Sequence, residues 1–136
     1  MLTALKYIIL RTFLEAGFGA FSRTFLKSNT WLGEYDGEIL LEEDDYIVSD
    51  YAWEMYRSGN LSYFIDAALV ERSNWLRWLN CPKTIAGYNV DGMYCYGKVY
   101  YLTTKDVYPG QELQVYYGFD YALRLGIYTN LFESND

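Results

Sequence analysis

Branched and aromatic residues dominate Leu5 to Phe13 and predict a strand; Gly17 and Gly19 then break the pattern before Ala20-Phe21 resume it, a strand, glycine turn, strand unit. Thr30 to Tyr35 predicts another short strand, closed by Asp36-Gly37, a dipeptide that favours tight turns. Glu42-Glu43-Asp44-Asp45 predicts an exposed acidic loop. Asp50 to Tyr56 and Ser62 to Asp66 read as two strands about the hairpin signal Ser58-Gly59-Asn60, and Tyr94 to Tyr96 with Lys98 to Thr103 as a second pair about Gly97. Between the hairpins the period changes. Trp75, Leu76, Trp78 and Leu79 recur at helical offsets behind Asn74 as N-cap, which predicts a short helix ending before Pro82. Pro109-Gly110 turns the chain into a strand over Glu112 to Tyr117, and Tyr121 to Leu125 predicts a last helical turn stopped by Gly126. With no repeat, low-complexity stretch or linker, this is one domain over residues 1–128 with a polar tail over 129–136, mostly β with short helices.

Composition narrows the chemistry. A chain of 136 residues supports one core, burying roughly two thirds of its unfolded surface. Its 16 tyrosines suit a shaped, partly dry site that can still hydrogen-bond, although so many must also serve as plain core and surface. The chain has no histidine, which excludes Ser-His-Asp and Cys-His catalysis and any His-ligated zinc or copper site; no metal is expected. The net charge of −7 disfavours nucleic acid as a partner and favours Lys/Arg-rich tails. Cys81 and Cys95 offer neither a metal cluster nor a disulfide framework, which points to a reducing intracellular compartment. The apolar run from Tyr7 to Leu10 stops at Arg11, too short for a signal-peptide core or a membrane span, so a soluble protein without membrane contact is expected.

Three blocks carry the chemistry: Glu15-Ala16-Gly17-Phe18-Gly19-Ala20-Phe21; Tyr63-Phe64-Ile65-Asp66 followed by Asn74-Trp75-Leu76-Arg77-Trp78-Leu79-Asn80-Cys81; and Pro109-Gly110-Gln111-Glu112-Leu113-Gln114-Val115-Tyr116-Tyr117-Gly118. A lone GxG is only a tight turn, but the three blocks in this order resemble the SET methyltransferase family, with its GxGxF segment, its ID…NxRFxN stretch and its PGxEL…Y segment. The likeness is closest to the PR branch, which is similar to this chain in having Asn-Cys at Asn80-Cys81 where most SET enzymes have Asn-His; it spans about Leu5 to Gly126. Pro82 and Tyr116 depart from the branch, Tyr116 standing where a tryptophan is usual.

The resemblance implies a SET-domain β fold of small sheets with a pseudoknot-like crossing near the C-terminus. It implies a protein lysine methyltransferase using S-adenosylmethionine, acting on a basic protein tail such as histone H3 in the nucleus. Ala16, Gly17, Phe18, Tyr51, Asn80 and Cys81 match positions that contact the methyl donor. Tyr117 aligns with the catalytic tyrosine, Tyr35 and Tyr101 with aromatics of the lysine channel, and Asp50, Tyr51, Ala52 and Trp53 fall on the segment beside the bound peptide. Such residues suit the reaction. A lysine amine of pKa about 10.4 must be neutral to attack, and both a dry aromatic channel and a neighbouring sulfonium lower that pKa.

Two other readings stay open: a PR-like interaction module without activity, and an aromatic cage that recognises methyl-lysine without consuming the donor. At single positions, Asn80 is also a candidate helix-end cap, Cys81 a small buried residue, and Asp66 with Arg77 a structural ion pair.

Overall fold

The computed structural model describes residues 7–13, 17–41, 48–82 and 85–116. The acidic run at Glu42 to Asp45, the helical turn at Tyr121 to Leu125 and the polar tail lie outside them. The strands are β1 (Ile8–Phe13), β2 (Gly17–Ser22), β3 (Trp31–Glu34), β4 (Glu38–Leu41), β5 (Ala52–Arg57), β6 (Asn60–Asp66), β7 (Val90–Cys95), β8 (Lys98–Thr103) and β9 (Glu112–Leu113). They form three small sheets, ordered β1-β2-β9, β3-β8-β7 and β4-β6-β5, and every strand pair within them is antiparallel. Short 3₁₀ turns at Val70–Arg72, Trp75–Trp78 and Ile85–Gly87 complete the described elements.

The two hairpins close as expected, and for the expected reason. Ser58 and Gly59 (φ 53° and 82°) turn β5 into β6, and Tyr96 and Gly97 (φ 49° and 79°) turn β7 into β8. Two successive left-handed residues give the twist that lets flanking strands stay paired. The helix expected behind Asn74 is a 3₁₀ turn, capped by the Asn74 side chain, which accepts from the Leu76 amide at 3.2 Å. Asn74 also donates to the Glu34 carbonyl at 2.7 Å, so one residue caps the turn and ties it to the end of β3.

Other expectations change. Gly17 and Gly19 are not a turn: both lie inside β2, where Gly17 pairs with Phe13 and Gly19 with Arg11. Asp36-Gly37 forms no tight turn; the chain passes through it from β3 to β4, strands of different sheets. Gly37 is needed there for space; a Cβ would stand 2.6 Å from the Asp66 carbonyl oxygen. The strand expected over Glu112 to Tyr117 is shorter. After β9, Gln114 and Val115 leave antiparallel pairing and make parallel bridges to Asn80 and Val90.

That change of partner creates the crossing. The 112–115 segment pairs on one side with Ala20 and Phe21 of β2. On the other, the Val115 amide donates to the Asn80 carbonyl (2.9 Å) and the Val90 amide to the Gln114 carbonyl (3.1 Å). Asn89 acts as a spare piece of backbone: its amide nitrogen donates to the Glu112 carbonyl (3.0 Å) and its oxygen accepts from the Gln114 amide (2.8 Å). Leu113 and Val115, both 0% exposed, plug this crossing into the core. The core also gathers Leu32, Tyr35, Leu76, Val90, Val99, Tyr101 and Val107, with Ile8 and Ala20 from the first sheet and Met55 and Ile65 from the third.

Candidate functional site

The tyrosines expected at the lysine channel meet where two sheets join. Tyr35 follows β3 and Tyr101 lies on β8; their rings stack at 5.2 Å and 28°, and both are essentially without exposure (1% and 0%). Trp53, from β5 in the other sheet, sets its ring edge-on to each, at 6.3 Å to Tyr35 and 6.0 Å to Tyr101. Burial obliges polar tips to find partners. The Trp53 indole N–H donates to the Tyr101 hydroxyl at 2.8 Å, and the Tyr35 hydroxyl donates to the Tyr51 carbonyl at 2.6 Å. The ring faces of Tyr35 and Tyr101 are thus largely used on each other, and their hydroxyls are engaged by the Tyr51 carbonyl and the Trp53 indole.

A second aromatic group stands on the other side of Tyr51. Phe18 (42% exposed) packs against Trp78 at 4.7 Å, and Tyr51 (40% exposed) offers a further open ring. Between Trp78 and Tyr51 lies the Arg77 guanidinium, 4.2 Å from one ring centre and 4.3 Å from the other. Its Nε donates to the Ala67 carbonyl at 2.8 Å and its Nη2 to the Ala68 carbonyl at 3.2 Å. The expected Asp66–Arg77 ion pair is therefore not formed. Asp66 instead accepts from the Ser49 amide (3.0 Å), the Ser49 hydroxyl and the Ala68 amide (2.9 Å), fixing the turn that leads to Tyr51. The carboxylate is bonded by two backbone amides and the Ser49 hydroxyl, and the guanidinium by two backbone carbonyls, so the two groups are held by different partners.

Asn80 binds these parts to the crossing. Its side-chain amide donates both to the Phe18 carbonyl (3.0 Å) and to Glu112 Oε2 (2.9 Å), while its own carbonyl takes the Val115 amide. Asn80 is therefore more than a helix-end cap: it bridges β2, the 3₁₀ turn and the crossing strand. Gly19 makes the approach possible, since a Cβ there would stand 2.7 Å from Glu112 Oε2 and 3.2 Å from the Asn80 amide nitrogen.

The remaining expected positions are more scattered. Gly17 neighbours Phe18 on β2. Cys81 is half-buried, its thiol directed to the Pro82 carbonyl at 3.6 Å. Asp50 is exposed at the turn before β5, and Ala52 opens β5 opposite Asp66. Ala16 and Tyr117 lie outside the described residues. Sequence reasoning missed Glu112 and Asn89, whose side chains build the crossing, and misread Arg77. A cavity of about 450 Å³ lies apart from these groups, between the hairpin tips, lined by Tyr56, Tyr63, Tyr94 and Tyr96 with Met55 and Arg57. Burial, and secondarily the Glu54 carboxylate, raise the Tyr94 phenol above its ordinary value of 10.0. No group of three or more His, Cys, Asp or Glu among the described residues is placed to hold a metal ion.

The family model for the PR domain of PR domain zinc finger protein 2 matches residues 7–128. The chain belongs to the PR-domain family. Among curated proteins it is 34% identical over 108 residues to histone-lysine N-methyltransferase set-17 of Caenorhabditis elegans, covering 79% of this chain and 39% of that protein. It is 30% identical over 116 residues to human PR domain zinc finger protein 14, covering 84% of this chain and 20% of that protein. The chain thus spans about two fifths of the first relative and one fifth of the second. Among solved structures, the methyltransferase domain of human PR domain-containing protein 2 superposes with a TM-score of 0.66 at 25% identity, over 83% of this chain and 78% of that one. The small-sheet SET architecture and the crossing near the C-terminus are those of the family.

Proposed function

We propose that this PR domain is a protein lysine methyltransferase that uses S-adenosylmethionine and acts on a basic tail, with histone H3 the leading candidate, in the nucleus. One observation carries the reading: Tyr51 joins two aromatic groups, an open one of Phe18, Trp78 and Tyr51 and a buried one of Tyr35, Tyr101 and Trp53. Transfer of a methyl between two bound molecules needs such a pair of adjoining sites.

The open group fits the donor. Exposed ring faces at Phe18 and Tyr51 suit both a flat base and a cationic sulfur, each such cation contact being worth about 0.5–2 kcal/mol. Asn80 stands at its margin, its backbone held by the crossing, with Cys81 next in the chain. Bound there, S-adenosylmethionine supplies a methyl on sulfonium; the C–S bond breaks as the N–C bond forms, and sulfur keeps the electron pair.

The chain's own part is deprotonation and alignment. The dry Tyr35–Tyr101–Trp53 wall strips water from an incoming ammonium and lowers its pKa, so that its proton leaves to solvent before attack. Tyr117, two residues beyond Val115, is assigned the role of orienting the neutral amine with its hydroxyl, which is catalysis by positioning. Relatives carry the same direction of argument: one is named a histone-lysine N-methyltransferase. The mutual stacking of Tyr35 and Tyr101 also favours a second reading, an interaction module without turnover, because it leaves little ring face for a lysine.

Donor binding separates the two. Titration of S-adenosylmethionine in a calorimeter is expected to show one site on the wild-type chain, weakened roughly tenfold or more by Asn80→Ala, a loss of about 1.4 kcal/mol. A wild-type chain that takes up no donor would leave the interaction module as the surviving reading.

A further inference from the structure

We infer that Arg77 is a positioning residue for methyl-donor binding, acting through Tyr51 and Trp78 rather than by touching the donor itself. The inference rests on the proposed donor site. Arg77 is a permanent cation only 7% exposed, and among the described residues it has no carboxylate partner. Burying a charge in that state is costly, and an arginine kept for packing alone is readily replaced by an apolar side chain. What this guanidinium does have is geometric. Its Cζ stands over two rings, Trp78 at 4.2 Å and Tyr51 at 4.3 Å, and its Nε and Nη2 edge is fixed by the Ala67 and Ala68 carbonyls.

Those contacts join three parts of the site that the chain supplies separately. Trp78 ends the 3₁₀ turn and packs against Phe18, their ring centres 4.7 Å apart. Ala67 and Ala68 follow β6, and the Ala67 amide donates to the Tyr51 carbonyl at 3.2 Å, the same carbonyl that accepts the Tyr35 hydroxyl. Tyr51 itself is 40% exposed, and the guanidinium stands over its ring. A planar cation can hold two rings parallel to its own plane and still donate along its edge. A lysine in the same place keeps the charge but has neither the plane nor the fixed fork. The stack therefore sets the spacing of the rings that face the donor, and its edge relays that spacing to the backbone holding Tyr35.

The test reads donor affinity rather than stability alone. S-adenosylhomocysteine is titrated into wild type, Arg77→Lys, Tyr51→Leu and the double variant, each first shown to be folded by its thermal transition. Arg77→Lys is expected to weaken binding by roughly tenfold, and the double variant to bind no worse than Tyr51→Leu alone, because contacting residues that act as one unit are not additive. Wild-type affinity in Arg77→Lys, or losses that multiply in the double variant, would overturn the role while leaving the donor site standing. Failure of the wild type to bind would instead remove the donor site, and this role with it. If Arg77→Lys does not fold, the ¹⁵N spectrum of the wild type decides: the Arg77 Nε–H signal shifts on titration together with the Trp78 indole signal, and a stationary Arg77 signal beside a moving Trp78 signal overturns the inference.

Discussion

Tyr116 stands beside the tyrosine assigned to catalysis, in a place where the family usually has tryptophan, and its hydroxyl is buried with no hydrogen-bond partner among the described residues. Its ring lies 6.0 Å from that of Tyr88, so the aromatic body is packed while the polar tip is not. An unsatisfied buried hydroxyl costs about 1–3 kcal/mol, and replacing it by hydrogen removes that cost without removing the ring. Tyr116→Phe is accordingly expected to raise the unfolding free energy by about 1 kcal/mol in urea titration; a loss of stability would mean that the hydroxyl has a partner in solution. Legibility at this scale divides by how local the cause is. Asn74 was readable because a cap acts on the next two residues of its own chain. Arg77 and Asp66 were paired by charge in the sequence reading, whereas each is satisfied by backbone groups that only the folded chain brings near. Asn89 gave no signal at all, since its two bonds reach Glu112 and Gln114 far along the chain.

Hairpins were the most legible elements, and the β7–β8 turn shows why. It needs two left-handed residues, and while Gly97 adopts that region freely, Tyr96 (φ 49°) does so at a cost. Tyr96 is fully exposed at 102%, so its side chain repays nothing through burial. Asn-Gly is the preferred pair for this turn. Tyr96→Asn is expected to stabilise the domain by about 0.5–1 kcal/mol, seen as a higher thermal midpoint; a lower midpoint would show that the exposed ring is held by contacts at the hairpin tip. The glycine block was less legible. Gly17 and Gly19 look like a turn by composition, yet β2 needs Gly19 because Glu112 and Asn80 crowd its backbone from elsewhere in the chain. Asp36-Gly37 misled in the same way, its glycine serving close contact with Asp66 between two sheets. β4 went unseen for a related reason: four residues, Glu38–Leu41, become a strand through pairing with β6.

For the whole molecule, the three sheets and the crossing strand place residues from Phe18 to Val115 around one centre, although no pattern in the sequence itself orders the sheets. The family blocks made that arrangement readable; composition and period alone stopped at mostly β. The net charge of −7 belongs to this scale too, since it favours the approach of the Lys/Arg-rich tail proposed as substrate. The KM for a basic peptide is expected to rise several-fold between about 0.01 M and about 0.15 M salt, as the screening length falls from about 30 Å to about 8 Å. A KM indifferent to salt would place recognition in short-range contacts alone. The central claim is that this fold transfers a methyl group to lysine with Tyr117 as the catalytic tyrosine. Its most direct test is incorporation of labelled methyl from S-adenosylmethionine into core histones and a histone H3 tail peptide, wild type against Tyr117→Phe. Incorporation by the wild type is expected to fall at least about tenfold in the variant, or roughly 1.4 kcal/mol of transition-state stabilisation. Equal incorporation by both would contradict the role of Tyr117, and none by a wild type that binds its donor and every basic substrate offered would contradict the enzyme.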